Sequence, residues 1–393
     1  MKSAVAISYE LDDMGDAAAE LAATIKENLQ FLKNSVGIFF CDADTDGAEL
    51  TAALKAELGI EIAGMTTLAA LDSNGRHEAA IVLNVMTADD CEFSAVVSET
   101  LAEGDCSAKI TEAYQRASVC HPEETPTMAF AFCPYGMPFS GDQYPNVLSA
   151  AAGNAPIIGG IASDDYEYDR ARVFLSGREY NDAMVLVCVW GNAKPAFSIR
   201  HVTSRFAERI RRVVSAENNI VYKVGDETFI KYLQSFGLKT DVDDPLLAFN
   251  SYPMMLTREG GDETPLMRHI SGLNQEDGSG AFFGDVPTGT LANICLVNKD
   301  DITAACRESM AALINQREGT SYEYSTVFCI TCCGRAMILG YDADAEGDIL
   351  AQMLPKGMTL AGAYCLGEIC PALYKDGKAS NRFHNCSITM CMI

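Results

Sequence analysis

One supersecondary unit recurs three times along this chain of 393 residues. Each copy has the pattern of a helix, a strand, a second helix, a second strand that carries glycine, and a closing strand. The copies span residues 16–86, 108–190 and 301–393. This spacing is much longer than that of a stacked solenoid repeat, so the copies indicate duplicated subdomains. If the copies are equivalent, Gly64, Gly160 and Gly362 occupy the same place in the second strand of each.

The alternation of helix and strand patterns predicts the fold class. A strand, a helix and a further strand form a parallel pair, whereas a closing strand can return as a hairpin. We therefore expect an α/β protein whose mixed β-sheets carry helices on their outer faces, with an α-β-β-α stack as one way of packing two sheets. Short strands and turn clusters in residues 201–298 predict an antiparallel insertion. The predicted domains are 1–200, with two units, and 201–393, with the insertion and a third unit at 299–393.

Charge and apolar content restrict the partners and the location. The net charge is −25, and so acidic a protein repels phosphate backbones, which argues against a nucleic acid partner. No apolar run approaches the ~20 residues that cross a bilayer, so no membrane segment is predicted. The first residues turn acidic before a signal-peptide core forms. Fifteen cysteines, many within apolar strands, are typical of buried thiols in a reducing compartment, and we expect a cytoplasmic protein.

Motifs for metal and cofactor binding are incomplete. Cys329-x-x-Cys332 has no second cysteine pair at the spacing of a zinc site. Acidic runs at 42–46 and 342–346 begin like calcium loops but lack the closing glutamate, so we interpret them as helix caps. Neither a glycine-rich phosphate loop nor a nucleophile elbow is present. The sequence therefore predicts no metal and no cofactor.

Two strand ends in the third copy carry the polar side chains best suited to a ligand. The first strand ends in Cys332-Cys333-Gly334-Arg335, and the second ends in a segment with Tyr364 and Glu368. An arginine beside a glycine turn can hold a carboxylate through two charge-assisted hydrogen bonds. The thiol of Cys332, the phenol and the Glu368 carboxylate would supply further polar contacts. The alternative is that Arg335 and Glu368 only pair with each other.

These motifs resemble the FIST domain family of intracellular sensory proteins. The C-terminal half of the family is matched by Cys332-x-Gly334-Arg335, by the segment 364–368 and by Phe383-His384-Asn385. Residues 35–190 resemble the N-terminal half, with the turns 64–67 and 159–165. The first turn departs from the family pattern, because Met65 and residues 68–70 replace a cysteine and a glycine–glutamate pair.

The resemblance implies a protein that binds a small ligand, such as an amino acid or another carboxylate, and signals to a protein partner. The candidate ligand-binding residues are Arg335, Tyr364, Glu368, Cys332, Ser163, Asp164 and Asp165. We expect them to line a pocket where the two halves meet, with residues 163–165 as the opposite wall. No catalytic residue is predicted. Two alternatives stay open: an enzyme with Cys332 as nucleophile acting on a carbonyl or thioester, and an interaction scaffold.

Overall fold

The structure, a computed structural model, describes residues 1–201, 209–257 and 265–393. The elements of the first copy are β1 (Lys2–Ser8), α1 (Met14–Asn28), β2 (Asn34–Cys41), α2 (Gly47–Leu58), β3 (Glu61–Thr66), β4 (Ala70–Asp72), β5 (Gly75–His77) and β6 (Ile81–Ala88). Those of the second copy are β7 (Cys91–Val97), α3 (Cys106–Ala117), β8 (Met128–Cys133), α4 (Gln143–Ala151), β9 (Ile157–Ile161), β10 (Val173–Leu175), β11 (Arg178–Tyr180) and β12 (Val185–Gly191).

The third copy is interrupted by the insertion. It consists of β13 (Ala196–His201) and, after the insertion, α7 (Lys299–Glu318), β22 (Thr326–Cys332), α8 (Cys333–Leu339), α9 (Ala345–Met353), β23 (Thr359–Cys365), β24 (Glu368–Lys375), β25 (Lys378–His384) and β26 (Ser387–Met392). The insertion contains β14 (Arg211–Glu217), β15 (Ile220–Val224), β16 (Glu227–Thr228), α5 (Phe229–Ser235), α6 (Pro245–Phe249), β17 (Met254–Thr257), β18 (Leu266–Arg268), β19 (Ile270–Asn274), β20 (Ser279–Phe282) and β21 (Leu291–Ile294).

Each copy builds one six-stranded sheet, and the copies exchange hairpins in a cycle. The strand orders are β1-β6-β2-β3-β10-β11, β7-β12-β8-β9-β24-β25 and β13-β26-β22-β23-β4-β5. The first sheet receives its hairpin from the second copy, the second sheet from the third copy, and the third sheet from the first. In each copy two central strands pair in parallel: β2 with β3, β8 with β9, and β22 with β23. The closing strand (β6, β12 or β26) pairs antiparallel with the first strand of that pair. The predicted mixed α/β class is confirmed.

The glycines of the second strands are equivalent, with one correction in the second copy. A Cβ at Gly64, Gly159 or Gly362 would lie 2.4, 1.9 or 2.2 Å from the carbonyl oxygen of the residue opposite it on the parallel neighbour. Gly160 instead faces the Cys365 thiol and the hairpin from the third copy. The predicted equivalence is therefore wrong by one residue in this copy, because two adjacent glycines left the register open.

The inner faces of the three sheets meet in one shared apolar core. The rings of Phe40 and Phe132 pack edge to face with centroids 6.0 Å apart, and those of Phe130 and Phe328 lie 4.9 Å apart. Helices α1 and α2 cover the outer face of the first sheet. Helices α3, α4, α7 and α9 cover the outer faces of the second and third sheets. Three sheets rather than two thus surround the core, with helices outside.

The insertion has its own core and is joined to the rest of the protein by a buried ion pair. Its strands form an antiparallel sheet around apolar side chains such as Phe229 and Tyr232. Both nitrogen–oxygen contacts between Arg268 Nη2 and the Asp142 carboxylate are 3.0 Å or shorter. Arg268 also donates to the backbone oxygen of Phe383. Strand β13 belongs to the third sheet, so the third copy begins before the insertion. Among the described residues, no helix is long and apolar enough to span a membrane.

Candidate functional site

The predicted ligand arginine lies inside the protein and has an acidic partner. Strand β22 runs directly into α8, which buries Arg335 completely. Its Nε and Nη2 atoms donate to Glu346 Oε1 at 3.1 and 2.7 Å, and Nη2 also donates to the Ile302 oxygen. Burial disfavours its charge, but the Glu346 carboxylate outweighs burial and raises the pKa of Arg335. The sequence left open a pairing of Arg335 with Glu368; in the structure Arg335 pairs with Glu346 instead.

The other two predicted residues of the third copy are also buried. The Tyr364 hydroxyl donates to Glu346 Oε2 at 3.4 Å, so it joins the arginine pair. Glu368 Oε2 accepts from the Ser387 hydroxyl at 2.5 Å and from its backbone N–H at 3.2 Å. Burial raises the pKa of Glu368 to about 8, against the lowering effect of these hydrogen bonds. The carboxyl group is therefore mostly protonated at neutral pH.

The three predicted residues of the second copy organise the chain around them. The Ser163 hydroxyl donates to the Tyr364 oxygen at 2.6 Å and accepts from the Leu68 N–H, so it links all three copies. The buried Asp164 carboxylate accepts the backbone N–H groups of residues 168, 169 and 170, each at 3.0 Å. Asp165 is exposed and pairs with Arg170. Asp164 thus fixes the loop that follows it.

A small cavity lies where the second copy, the insertion and the third copy meet. Its lining residues, which define the junction cavity, are Tyr166, Tyr168, Leu246, Asn250, His269, Phe283, Cys332, Cys333, Gly334, Met337 and Leu366. Its volume of about 20 Å³ is enough for one water molecule. Of the residues predicted as ligand contacts, Cys332 lines this cavity. Arg335, Tyr364, Glu368 and residues 163–165 lie behind its wall or in the adjoining loop.

Two buried side chains that line the junction cavity have polar atoms without a hydrogen-bond partner among the described residues. The Asn250 amide donates through Nδ2 to the Gly334 oxygen at 2.9 Å, and its Oδ1 accepts no hydrogen bond. His269 Nε2 is likewise unpartnered. Burial lowers the pKa of His269 to about 4, against a hydrogen bond with the Asn250 backbone. A Cβ on Gly334 would lie 2.6 Å from His269 Cε1 and 2.7 Å from Asn250 Oδ1, so the missing side chain keeps this space open.

Two tyrosines with unusual backbone conformations close the junction cavity. Tyr166 and Tyr168 have φ angles of 72° and 65°, which are strained for bulky residues and are enriched at functional sites. The Tyr166 hydroxyl donates to the Cys333 oxygen at 3.2 Å. The Tyr168 ring lies 5.5 Å from that of Tyr135, centroid to centroid. These tyrosines directly follow the predicted residues 163–165, whereas no sequence pattern pointed to Asn250 or His269.

The thiols in the junction cavity are poorly suited to nucleophilic attack. Burial, aided by Glu368, raises the pKa of Cys332 well above its usual range, and burial raises that of Cys333 to about 12. A thiol is nucleophilic only as the thiolate. His384 Nε2 lies 3.1 Å from the Cys370 oxygen, and burial lowers the pKa of this histidine. The alternative of a cysteine nucleophile therefore gains no support from these groups.

The two acidic runs that begin like calcium loops, residues 42–46 and 342–346, lie at the starts of helices α2 and α9. The Asp46 carboxylate caps α2 by accepting the Glu49 N–H at 2.9 Å, as predicted. Asp344 stands at the start of α9, without a side-chain hydrogen bond to that helix. Across the described ranges, no group of three or more His, Cys, Asp or Glu side chains is placed to hold a metal ion.

Fold and site together define an α/β protein of three hairpin-exchanging copies, with a cavity where two copies meet the insertion. A family model described as the FIST N domain matches residues 35–227, and one described as the FIST C domain matches residues 229–371. The chain belongs to the FIST family, as its motifs predicted. FIST domains are associated with sensory signal transduction and the binding of small ligands.

Other comparisons add little. Among curated proteins, no match to the chain was found. A similar solved structure is titled "Crystal structure of cyanuic acid hydrolase from A. caulinodans". It has 8% sequence identity and a TM-score of 0.37, over 99% of this chain and 98% of that chain. A score this low supports no inference about function.

Proposed function

We propose that this protein is a cytoplasmic sensory protein that binds a small molecule in the junction cavity and passes its occupancy to a signalling partner. The observation that carries the proposal is a small cavity lined by two buried side chains, Asn250 and His269, each with a polar atom that has no partner among the described residues. An unpaired buried polar atom costs roughly 1–3 kcal/mol, which a ligand with matching groups would recover. All fifteen cysteines are free thiols, in keeping with a reducing compartment.

The place of the junction cavity suits a sensor. Its walls come from Tyr166 and Tyr168 in the second copy, from Asn250 and His269 in the insertion, and from the start of α8 in the third copy. A ligand there contacts three parts of the protein at once, so its binding can alter how they pack. A partner protein that recognises one arrangement would then respond to the ligand.

Amino acids and small carboxylates are the ligands that the family resemblance suggests. The prediction that Arg335 holds the carboxylate stays a prediction. In the structure this arginine is bound to Glu346 and does not line the junction cavity, so such contact requires the pair to open. We propose instead that Arg335, Tyr364 and Glu346 hold the start of α8 in place behind the cavity.

A thermal-shift screen of the purified chain tests the proposal. The panel contains the amino acids, small carboxylates and the corresponding amides. A ligand at 100 times its Kd adds about 2.7 kcal/mol to the free energy of unfolding, which raises Tm measurably. Gly334→Ala should abolish the shift because its Cβ fills the space beside His269 and Asn250.

Gly319→Ala is the matched control. Gly319 ends α7 with a φ of −77°, and its Cβ would meet nothing closer than 3.5 Å. Overpacking lowers the stability of the unliganded Gly334→Ala protein, so the quantity compared is the ligand-induced shift within each variant. The proposal fails if no panel member shifts Tm, or if the shift persists unchanged in Gly334→Ala.

A further inference from the structure

We propose that the junction cavity selects an uncharged group that donates hydrogen bonds, of which the primary carboxamide is the simplest, over the carboxylate of the same shape. This inference rests on the proposed function and adds the chemistry of the ligand. It starts from the unpartnered polar atoms of two residues that line the cavity, Oδ1 of Asn250 and Nε2 of His269.

The orientation of the Asn250 amide makes its cavity-facing atom an acceptor. Its Nδ2 is used by the Gly334 oxygen at 2.9 Å, which leaves Oδ1 as the unpartnered atom. Oδ1 lies 2.7 Å from the point where a Gly334 Cβ would be, so it borders the open space above this glycine. An amide oxygen accepts hydrogen bonds and cannot donate them. A carboxylate oxygen placed beside Asn250 Oδ1 would be repelled by it, because neither oxygen can donate a hydrogen bond.

His269 adds a second polar atom without adding charge. The side chain is 3% exposed, and its imidazole is neutral at physiological pH because burial lowers its pKa to about 4. A neutral imidazole can accept a hydrogen bond at Nε2 when Nδ1 carries the proton. A carboxamide nitrogen has two N–H donors, one for each of these two atoms.

Charged groups lack a counter-ion in the lining of the junction cavity. Within the part of the chain that the structure describes, none of the residues that line this cavity is Lys, Arg, Asp or Glu. Taking an unpaired carboxylate or ammonium out of water costs far more than burying an amide whose hydrogen bonds are satisfied. Arg335 does not line the junction cavity, and the charge of its guanidinium is balanced by Glu346, which binds Nε and Nη2. Its buried Nη1 has no hydrogen-bond partner among the described residues. The lining therefore favours a neutral head group.

An adjoining cleft provides room for the rest of such a molecule. Tyr168 lines both the junction cavity and an open cleft of about 420 Å³. The cleft also includes Tyr135, Arg172 and Asp182. Movement of the strained Tyr168 would join the two spaces, so that a head group too large for 20 Å³ enters from the cleft. The charged residues of the cleft can pair with charged groups elsewhere on the ligand, whereas the cavity binds its neutral carboxamide.

Isothermal titration with matched pairs tests this inference. The pairs are glutamine and glutamate, asparagine and aspartate, and propionamide and propionate, each differing only in amide against carboxylate. We expect the amide member to bind at least tenfold more tightly. Asn250→Ala should weaken amide binding by about three- to tenfold, the value of one hydrogen bond. Asn293→Ala is the control, because Asn293 is a buried, unpartnered asparagine of the insertion outside the cavity lining.

The outcomes separate this inference from the proposed function. If a carboxylate member binds more tightly, and Gly334→Ala abolishes that binding, the inference is wrong and the sensor proposal stands. Equal loss of amide affinity in Asn250→Ala and Asn293→Ala also overturns it, since a general loss of stability would explain both. If no member of the pairs binds, both the inference and the proposed function fail, and the two polar atoms then serve to bind a single water molecule.

Discussion

The buried pair of Arg335 and Glu346 allows a quantitative prediction. Both side chains are 0% exposed, and Glu346 receives two hydrogen bonds from the arginine and one from Tyr364. Glu346→Gln keeps the shape of the side chain but removes its charge, which leaves a buried guanidinium without a counter-ion. Breaking a buried pair in this way costs about 3–5 kcal/mol. Total stabilities of about 5–15 kcal/mol are usual, so the loss is a large share.

The assay is urea unfolding followed by the fluorescence of Trp190, the only tryptophan, which is buried in β12. The double variant Arg335→Met/Glu346→Leu removes both charges, and we expect it to recover most of the loss. Its comparison with the single variants gives the coupling energy between the two side chains.

Glu57→Gln is the control for this experiment. Glu57 pairs with Lys26 at 3.0 Å, but both side chains are about half exposed, so the expected loss is below about 1 kcal/mol. The reasoning is refuted if Glu346→Gln costs no more than Glu57→Gln. It is also refuted if the double variant is as unstable as the sum of the single ones.

Three further predictions concern the pH response, the loop and the thiols. The pKa of Glu368 is raised from 4.5 to about 8 in the folded protein, so the stability that its carboxyl group contributes is fully present below about pH 4.5 and is lost as the pH rises through 8. Relative to Glu368→Gln, the wild type should lose up to about 1.4 kcal/mol of unfolding free energy per pH unit across this window in urea titrations, and parallel curves would contradict this. Asp164→Ala removes the acceptor of three backbone N–H groups, so amide exchange in residues 166–170 should accelerate at least tenfold, whereas Asp165→Ala should leave it nearly unchanged. A thiol reagent should label the exposed Cys120 before Cys332, as read by peptide mass spectrometry, and preferential labelling of Cys332 would revive the enzyme alternative.

Local sequence patterns determined most of the elements. Strand β8 spans residues 128–133 and helix α2 spans residues 47–58. Both follow from signals within a few positions: an apolar run of strand length in one, and a capping aspartate with a terminal glycine in the other. The helix cap at Asp46 could be predicted from the sequence for the same reason.

The exchange of hairpins between copies was decided by tertiary structure. Strands such as β4 and β5 have only three residues each, too few for a clear alternation of apolar and polar side chains. Which sheet edge they join depends on edges formed by other copies. Nothing within residues 70–77 specifies that β4 pairs with β23, almost 300 residues further along the chain.

The candidate site shows the same division. Sequence reasoning named Cys332 and the turn at residues 163–165, because polar side chains at strand ends form a local pattern. It could not name Glu346 as the partner of Arg335, since several acidic residues lie within reach in sequence and only packing selects one. It also could not name Asn250 and His269, because they line the cavity only after the insertion folds against the second and third copies. The sequence by itself determined the repeated elements and the family, and tertiary packing decided which side chains surround the cavity, since those contacts join residues far apart in the chain.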